Sequence, residues 1–363
     1  MGSLLRQFWH PVALSMDLRA GEAHPLRVLS EDLTLYRGKS GAPHLIGGRC
    51  AHRCTVLHTG IVEDEQIRCM YHGWRFNAEG ACTDIPAEKR VRPNPPGIEG
   101  YPVREYSGLI FAYLGAAPAP EFDLPRKDVF EDEQRSTLVK REIWDCNWFQ
   151  QIENSMDAVH LGFAHMWGVA GQFGDSVSGG GLLPDLAYEE TSSGIRQIAT
   201  RPNGNVRISD WTFPNNNHIV VPGAKKGGAW AHVSVWATPI DDTSTMRFRL
   251  YSTEEKDPAV LERARRDQEF QPLDHVARLF RGALGGLSEQ AIISAQDYVA
   301  VRGQGEICDR SRENLSASDA GVAFLRRVFL RELEAIRRGR PGKAWSRLRE
   351  AVHLPAPPQR AVE

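Results

Sequence analysis

Two cysteines and two histidines sit close together in the chain, as Cys50-Ala-His52, sixteen residues, then Cys69-Met-Tyr-His72-Gly-Trp74. Each segment offers one thiolate and one imidazole, so two short loops can close on a single metal centre. Zinc accepts four such ligands tetrahedrally. A [2Fe–2S] cluster accepts them unequally, with two Cys on one iron and two His on the other, and neutral imidazoles raise its potential relative to thiolates. Zinc knuckles usually pair ligands by type, C-x-x-C with H-x-H or a second C-x-x-C. One of each per loop suits two irons better than one zinc. Gly73 and Trp74 follow the second pair, where a loop has to pass close to a cofactor. Cys54 and Cys82 lie outside the ligand pattern and read as small buried hydrophobes; Cys146 and Cys308 carry no assigned role.

A second stretch with ligand chemistry reads Glu153-Asn154-Ser-Met-Asp157-Ala-Val-His160-Leu-Gly162-Phe-Ala-His165. Asn154, Asp157 and His160 step by three and share one face of a helix. His165 does not: five residues of regular helix leave it about 140° from His160. Both imidazoles meet one metal only if the helix breaks or bulges between them, and Gly162 is the natural place. The plain alternative is a polar helix face with two ordinary histidines.

Taken together, C-x-H-x(16)-C-x-x-H and the downstream N-x-x-D-x-x-H-x(4)-H closely resemble the Rieske non-haem iron oxygenases, and specifically the phthalate-dioxygenase-like branch of their catalytic subunits. The resemblance covers nearly the whole chain. It implies a [2Fe–2S] Rieske cluster on Cys50, His52, Cys69 and His72, and a mononuclear Fe(II) on a 2-His-1-carboxylate triad. His160 and His165 supply two arms. The third is Asp297 in Ser294-Ala-Gln-Asp297-Tyr, with Glu289 and Glu306 as alternatives. Ile307-Cys-Asp-Arg-Ser-Arg-Glu-Asn-Leu, Ser318-Asp319 and Pro239-Ile-Asp-Asp242 also resemble that branch. Asp157 is implied to bridge His160 and a neighbouring subunit's His72, orienting both imidazoles, with Asn154 beside the iron.

The elements that must position these residues divide by composition. With 363 residues, 41% hydrophobic and 25% charged, the chain is ordinary globular protein with room for two domains. Formal net charge of −2 gives no electrostatic case for nucleic acid or membrane surfaces. Six Cys are no disulfide framework. No basic, apolar leader and no long apolar run is present, so a cytoplasmic enzyme is expected. Short alternating runs up to about Gly115 predict small antiparallel sheets. Ala116-Ala-Pro-Ala-Pro reads as a linker. Residues 149–166 carry helical spacing, 180–251 are strand-rich, and 257–281 read as a charged helix. An amphipathic helix runs from about Ser318 to Arg338, capped by Ser318 or Asp319. The expected class is α+β: residues 1–116 as an all-β Rieske [2Fe–2S] domain, and 117–363 as a catalytic domain of antiparallel sheet and helices, which the resemblance implies is helix-grip, START-like.

The pocket is read from period-2 patterns. One strand shows Arg207, Ser209, Trp211 and Phe213 on a face; another shows Trp230, His232, Ser234 and Trp236. Either is a face packed on helices or the wall of an aromatic-lined pocket. In the second case Arg207 or His218 meets a substrate carboxylate, with Trp211 and His232 nearby.

The function expected is a terminal oxygenase that hydroxylates a small, carboxylated aromatic. Oxidative O- or N-demethylation on the same scaffold is the alternative, and a Rieske electron carrier or structural zinc protein the remote one. The chain has no G-x-G-x-x-G after a strand and no plant-type ferredoxin run. Electrons must therefore come from a separate reductase, which the resemblance implies is a flavin and [2Fe–2S] protein using NADH. It also implies a head-to-tail homotrimer.

Overall fold

The computed structural model describes residues 2–90, 92–122, 124, 128–165, 183–204, 206–221, 231–266, 271, 276–278, 281 and 289–345. Two compact units emerge, Met1–Phe122 with Thr238–Asp241, and Asp123–Ala237 with Asp242–Glu363. The first unit extends past residue 116 because Pro120 and Phe122 pack back onto it. The Trp9 indole N–H donates to the Pro120 carbonyl at 3.2 Å, and Phe122 meets the Trp9 ring edge-on at 5.0 Å. Thr238–Asp241 joins it through backbone bonds from Leu29 and Ser30 to Pro239 and Ile240.

The first unit is three small antiparallel sheets. Strand Trp9–Leu14 (β1) pairs with Leu109–Tyr113 (β11), which pairs with Val103–Tyr106 (β10). Ala23–Val28 (β2), Glu31–Arg37 (β3), Pro43–Gly47 (β4) and Gly100–Tyr101 (β9) form the second sheet. Ile61–Glu63 (β5), Gln66–Arg68 (β6), Arg75–Phe76 (β7) and Cys82–Asp84 (β8) form the third. Its core gathers Tyr36, Ile46, Leu57, Ile67, Trp74 and Phe76, and Cys50, Cys69 and Cys82 are buried among them. Cys54 is a correction: it is exposed, with φ +57°. None of the six cysteines is paired in a disulfide.

The second unit is built on one seven-stranded antiparallel sheet. Ser136–Trp144 (β12) is followed in space by Thr245–Thr253 (β18), Ala231–Pro239 (β17), Asn216–Val221 (β16), Val206–Thr212 (β15), Gly194–Thr200 (β14) and Asp185–Glu190 (β13). Four helices of eight residues or more are described with it: Trp148–Ser155 (α1), Pro258–Arg266 (α2), Glu289–Arg302 (α3) and Ala320–Arg337 (α4). The fold is therefore α+β. The end of the charged stretch expected as helix to residue 281 lies largely outside the described residues, as do Trp230 and the C-terminal tail. Asn147 caps α1 by accepting the Phe149 N–H at 3.0 Å, an arrangement worth about 1 kcal/mol. Of the two expected cap residues of α4, Asp319 holds the N-cap position, without a side-chain cap bond. Its side chain is used one turn earlier, in a capping box with Ser316 that opens a 3₁₀ turn at Ala317–Asp319.

An aromatic cluster ties α1 and α4 to the sheet. Phe329 of α4 meets Phe149 at 5.0 Å, Trp148 at 5.7 Å, Trp211 at 5.8 Å and Phe213 at 4.9 Å. Each such ring pair adds about 0.5–1.5 kcal/mol beyond buried area. Glu153 of α1 is buried between Arg310, at 2.9 Å, and Arg326 of α4, at 2.6 Å. This packing fixes the end of α1, from which the second ligand segment leaves.

Candidate metal centres and their surroundings

In the first unit the two ligand segments are matched tight turns. The Cys54 N–H donates to the Cys50 carbonyl at 2.9 Å, and the Gly73 N–H to the Cys69 carbonyl at 3.1 Å. The first turn is closed by the Arg49–Val56 bridge and the second lies between β6 and β7. Gly73 has φ +75°, and a Cβ there would press on Pro86 at 3.0 Å, so any other residue at that position is strained. Arg68 braces the same turn, donating to the Gly73 carbonyl at 2.7 Å and to Asp84 at 2.9 Å.

The ligand atoms are sorted by depth. Cys50 and Cys69 are buried and interact with each other, and burial pushes the Cys50 thiol up to about 11. His52 and His72 are exposed, with ring centroids 4.5 Å apart; Trp74 stacks on His52 at 4.9 Å. Buried thiols and outward imidazoles fit a cluster with an inner, Cys-held iron and an outer, His-held one. Metal binding would remove the Cys50 thiol proton that burial otherwise retains.

In the second unit the helical spacing of the ligand segment is interrupted, as a shared metal site for His160 and His165 requires. Helix α1 ends at Ser155, and a π-helical turn follows at Leu161–His165. Asp157 occupies the break, where its Oδ1 accepts the Val159 N–H at 2.7 Å and the His160 N–H at 3.3 Å. The i→i+5 winding of a π turn brings residues five apart to one side, which regular helix does not.

His160, His165 and Asp297 come together: one ligand atom from each lies within 4.8 Å of the others. Asp297 Oδ1 is 3.5 Å from His160 Nε2 and 3.4 Å from His165 Nε2. Donors bound about 2.1 Å from a shared ion at right angles sit about 3 Å apart, so modest closure onto Fe(II) suffices. The buried carboxylate would by desolvation alone resist ionising, but the two imidazoles outweigh that and hold it well below the usual carboxylate range. Asn154 Nδ2 donates to Asp297 Oδ1 at 3.2 Å. The His165 Nδ1–H donates to Gln296 Oε1 at 3.0 Å. His160 Nδ1 is buried with no hydrogen-bond partner, 3.7 Å from Asp157 Oδ2. Among the alternatives, Glu306 is an exposed partner of Arg302 at 3.5 Å, and the Glu289 side chain lies outside the described residues.

Strand register sorts the expected pocket residues. Ala199 pairs with Arg207 and Ile195 with Trp211, so Arg207 and Trp211 share a face. Asp210 pairs with His218 and His218 with Ser234, which puts His218 and His232 on the other face. His218 and His232 instead meet each other at 3.4 Å, with Phe130 edge-on to His218. His218, expected as the alternative to Arg207 at a substrate carboxylate, and His232, expected among the substrate residues, thus lie on the face opposite Arg207. Trp211 is on the right face but buried against Phe213 and Phe329.

The Arg207 face is unusually cationic. Burial and its neighbour Arg201 bring the Arg207 guanidinium down to about 10, with Asp297 opposing them. It stays charged at neutral pH. Arg207 also acts on His165. Arg201 is buried, and its Nε has no hydrogen-bond partner. On β12 and β18, Glu142 pairs with Arg247 across the ladder and Lys140 with Arg249. Fully buried Glu142 is 2.8 Å from Lys140, 3.5 Å from Arg249 and accepts from Ser294 of α3 at 2.8 Å. Despite the desolvation, Arg249, Lys140 and Arg247 hold it at about 2. Arg247 lies over the Trp144 ring at 4.6 Å and reaches Asp297 Oδ2 at 3.8 Å. Arg201, Arg247 and Gln296 were absent from the expected site, and no spacing or motif in the sequence marks them.

The Rieske [2Fe-2S] domain family matches residues 8–102. The 5,5'-dehydrodivanillate O-demethylase oxygenase subunit of Sphingobium sp. (strain NBRC 103272 / SYK-6) is 34% identical, over 98% of this chain and 82% of that one. The phenoxybenzoate dioxygenase subunit alpha of Ectopseudomonas oleovorans is 32% identical, over 93% of this chain and 83% of its own. The solved structure of Pseudomonas putida CBB5 NdmA with caffeine has the same fold, with TM-score 0.73, 20% identity and 94% of each chain covered. A Rieske match joined to near full-length likeness with oxygenase subunits means that the chain belongs to the Rieske non-haem iron oxygenases, as an oxygenase subunit of that family of oxidoreductases, whose cofactors are a [2Fe–2S] cluster and a mononuclear iron.

Proposed function

We propose that this chain is a terminal oxygenase whose substrate is a small aromatic carboxylate, held by Arg207 and Arg201 beside an iron carried on His160, His165 and Asp297. The observation that carries the reading is the pair of neighbouring guanidinium groups on the buried sheet face. Arg201 Nε has no partner, and no carboxylate among the described residues hydrogen-bonds Arg207. Asp297 offsets the Arg207 charge only in part, without a hydrogen bond, and a bound carboxylate would complete the pairing with bidentate geometry. The compounds in the relatives' names, dehydrodivanillate and phenoxybenzoate, are aromatic acids.

When bound, the Fe(II) activates dioxygen with electrons relayed from the cluster on Cys50, His52, Cys69 and His72. The chain's residues do the rest. Asn154 and Arg247 hold the Asp297 carboxylate in place; Gln296 holds His165. Asp157 stands beside the open Nδ1 of His160, and we assign it the link to His72 of a neighbouring copy. The exposed His72 and incompletely buried Asp157 suit such a contact, and a head-to-tail homotrimer would provide it. A flavin and [2Fe–2S] reductase using NADH supplies the electrons. A cytoplasmic setting suits an iron–sulfur protein in which no described helix is long and apolar enough to cross a membrane.

Oxidative O-demethylation is a second reading, supported by the name of the 34%-identical relative. It would consume a methoxyarene, O2 and two reducing equivalents and release a phenol, formaldehyde and water. The test is a panel of benzoates, methoxybenzoates and their neutral amides with a surrogate reductase, scored by product mass and formaldehyde. The reading expects turnover of the acids, little of the amides, and a KM for acids raised about 10–100-fold in Arg207→Gln. Equal use of acids and amides would reject the carboxylate.

A further inference from the structure

We infer that Gln296 is a positioning residue that fixes the tautomer and ring orientation of His165, making that imidazole the rigid arm of the iron site. The inference rests on the reading of His165 as an iron ligand. For Nε2 to bind a metal it must be unprotonated, so the ring proton has to sit on Nδ1. A buried Nδ1–H needs an acceptor. Gln296 Oε1 lies 3.0 Å from Nδ1, and both side chains are buried. An amide oxygen only accepts, so this contact selects the Nδ1–H form and aims Nε2 at Asp297 Oδ1, 3.4 Å away.

The neighbouring histidine shows the contrast. His160 also directs Nε2 to Asp297 Oδ1, but its Nδ1 has no hydrogen-bond partner and Asp157 Oδ2 stands 3.7 Å off. The two arms are thus differently held. His165 is tied inside the chain by the residue immediately before Asp297, on the same helix α3, so one helix supplies both a ligand and the orienting group of another. His160 is left free to respond through Asp157. Orienting partners of this kind typically change metal affinity by about 10–100-fold.

The test uses the full-length protein with its cluster assembled and the mononuclear iron removed by chelation, titrated with Co(II). Binding is followed by the visible d–d bands. The imidazole N–H protons of the Co(II) ligands are read as hyperfine-shifted, exchangeable proton resonances that appear only on Co(II) addition. Gln296→Leu, which removes the acceptor at similar size, should weaken Co(II) about 10–100-fold and lose one slowly exchanging N–H signal. Gln296→Glu, which keeps an acceptor, should bind within a few-fold of wild type and shift that same signal. Unchanged affinity in Gln296→Leu overturns the inference. So does weaker binding with both N–H signals intact, which would make Gln296 merely structural, or an unshifted signal in Gln296→Glu. His165→Ala separates the two layers. If it leaves Co(II) binding intact, the ligand set itself fails; if it abolishes binding while Gln296→Leu changes nothing, only this inference fails.

Discussion

In the cluster loops, each proposed ligand lies within a few residues of its own support. Two tight turns close on Cys50 and Cys69, a bridge and a hairpin hold the turns, and the imidazoles reach solvent. In the iron site the supports are far off in the chain. Asn154 meets Asp297 across 143 positions and His165 meets Gln296 across 131, all within a buried ring of charged groups. A local site of the first kind can be built or lost almost by itself. A site of the second kind depends on the whole sheet-and-helix framework, and on charges whose burial is tolerable only while they stay paired.

The sharpest way to break the comparison is to remove a cluster ligand. Cys69→Ser or His72→Ala should abolish the visible chromophore and the EPR signal of the reduced cluster, while the mononuclear iron content persists. Loss of both metals together would show that the two sites are not independent. The link assigned between them is probed by Asp157→Asn, which keeps shape and removes charge. Both metals should remain bound, and single-turnover oxidation of the reduced protein should slow roughly 100-fold. A rate near wild type would reject the link.

The framework's dependence on buried charge is tested at Glu142. Glu142→Gln leaves Lys140 and Arg249 without their counterion and should destabilise the second unit by about 3–5 kcal/mol, read by urea unfolding. The cluster chromophore should be retained under native conditions. A smaller effect is in its pH dependence. Glu142 is held at about 2 against an ordinary 4.5, so the unfolded chain takes up the proton first on acidification. That contribution is fully present above about pH 4.5 and is lost as pH falls toward 2. The acid limb of the stability profile between those values should be shallower in Glu142→Gln; an unaltered limb would mean that Glu142 is not the group responsible.

The same contrast explains what was legible from residues alone. The C-x-H and C-x-x-H spacings carry their own geometry, because turns are local. The five-residue step from His160 to His165 announced a break in the helix, and the break is there, although it begins earlier, at Met156, where Asp157 turns its carboxylate on the backbone. Asp297 could be singled out only through resemblance. Gln296 and Arg247 could not, since a lone Gln or Arg has no period. His218 and His232 were drawn to the wrong face because alternation within one strand says nothing about its neighbour's register, which only pairing fixes. Cys54 was expected inside on composition, whereas the first ligand turn holds it outside at positive φ.

The most direct measurement of the central claim is the iron and acid-labile sulfide content of the purified protein beside that of Asp297→Ala. A cluster site and a separate three-ligand iron site predict about three iron atoms and about two sulfides per chain. Asp297→Ala should lose close to one iron while keeping both sulfides and an unchanged Rieske EPR spectrum. Two irons in the wild-type protein reconstituted with Fe(II), or a full complement of iron in Asp297→Ala, would contradict it.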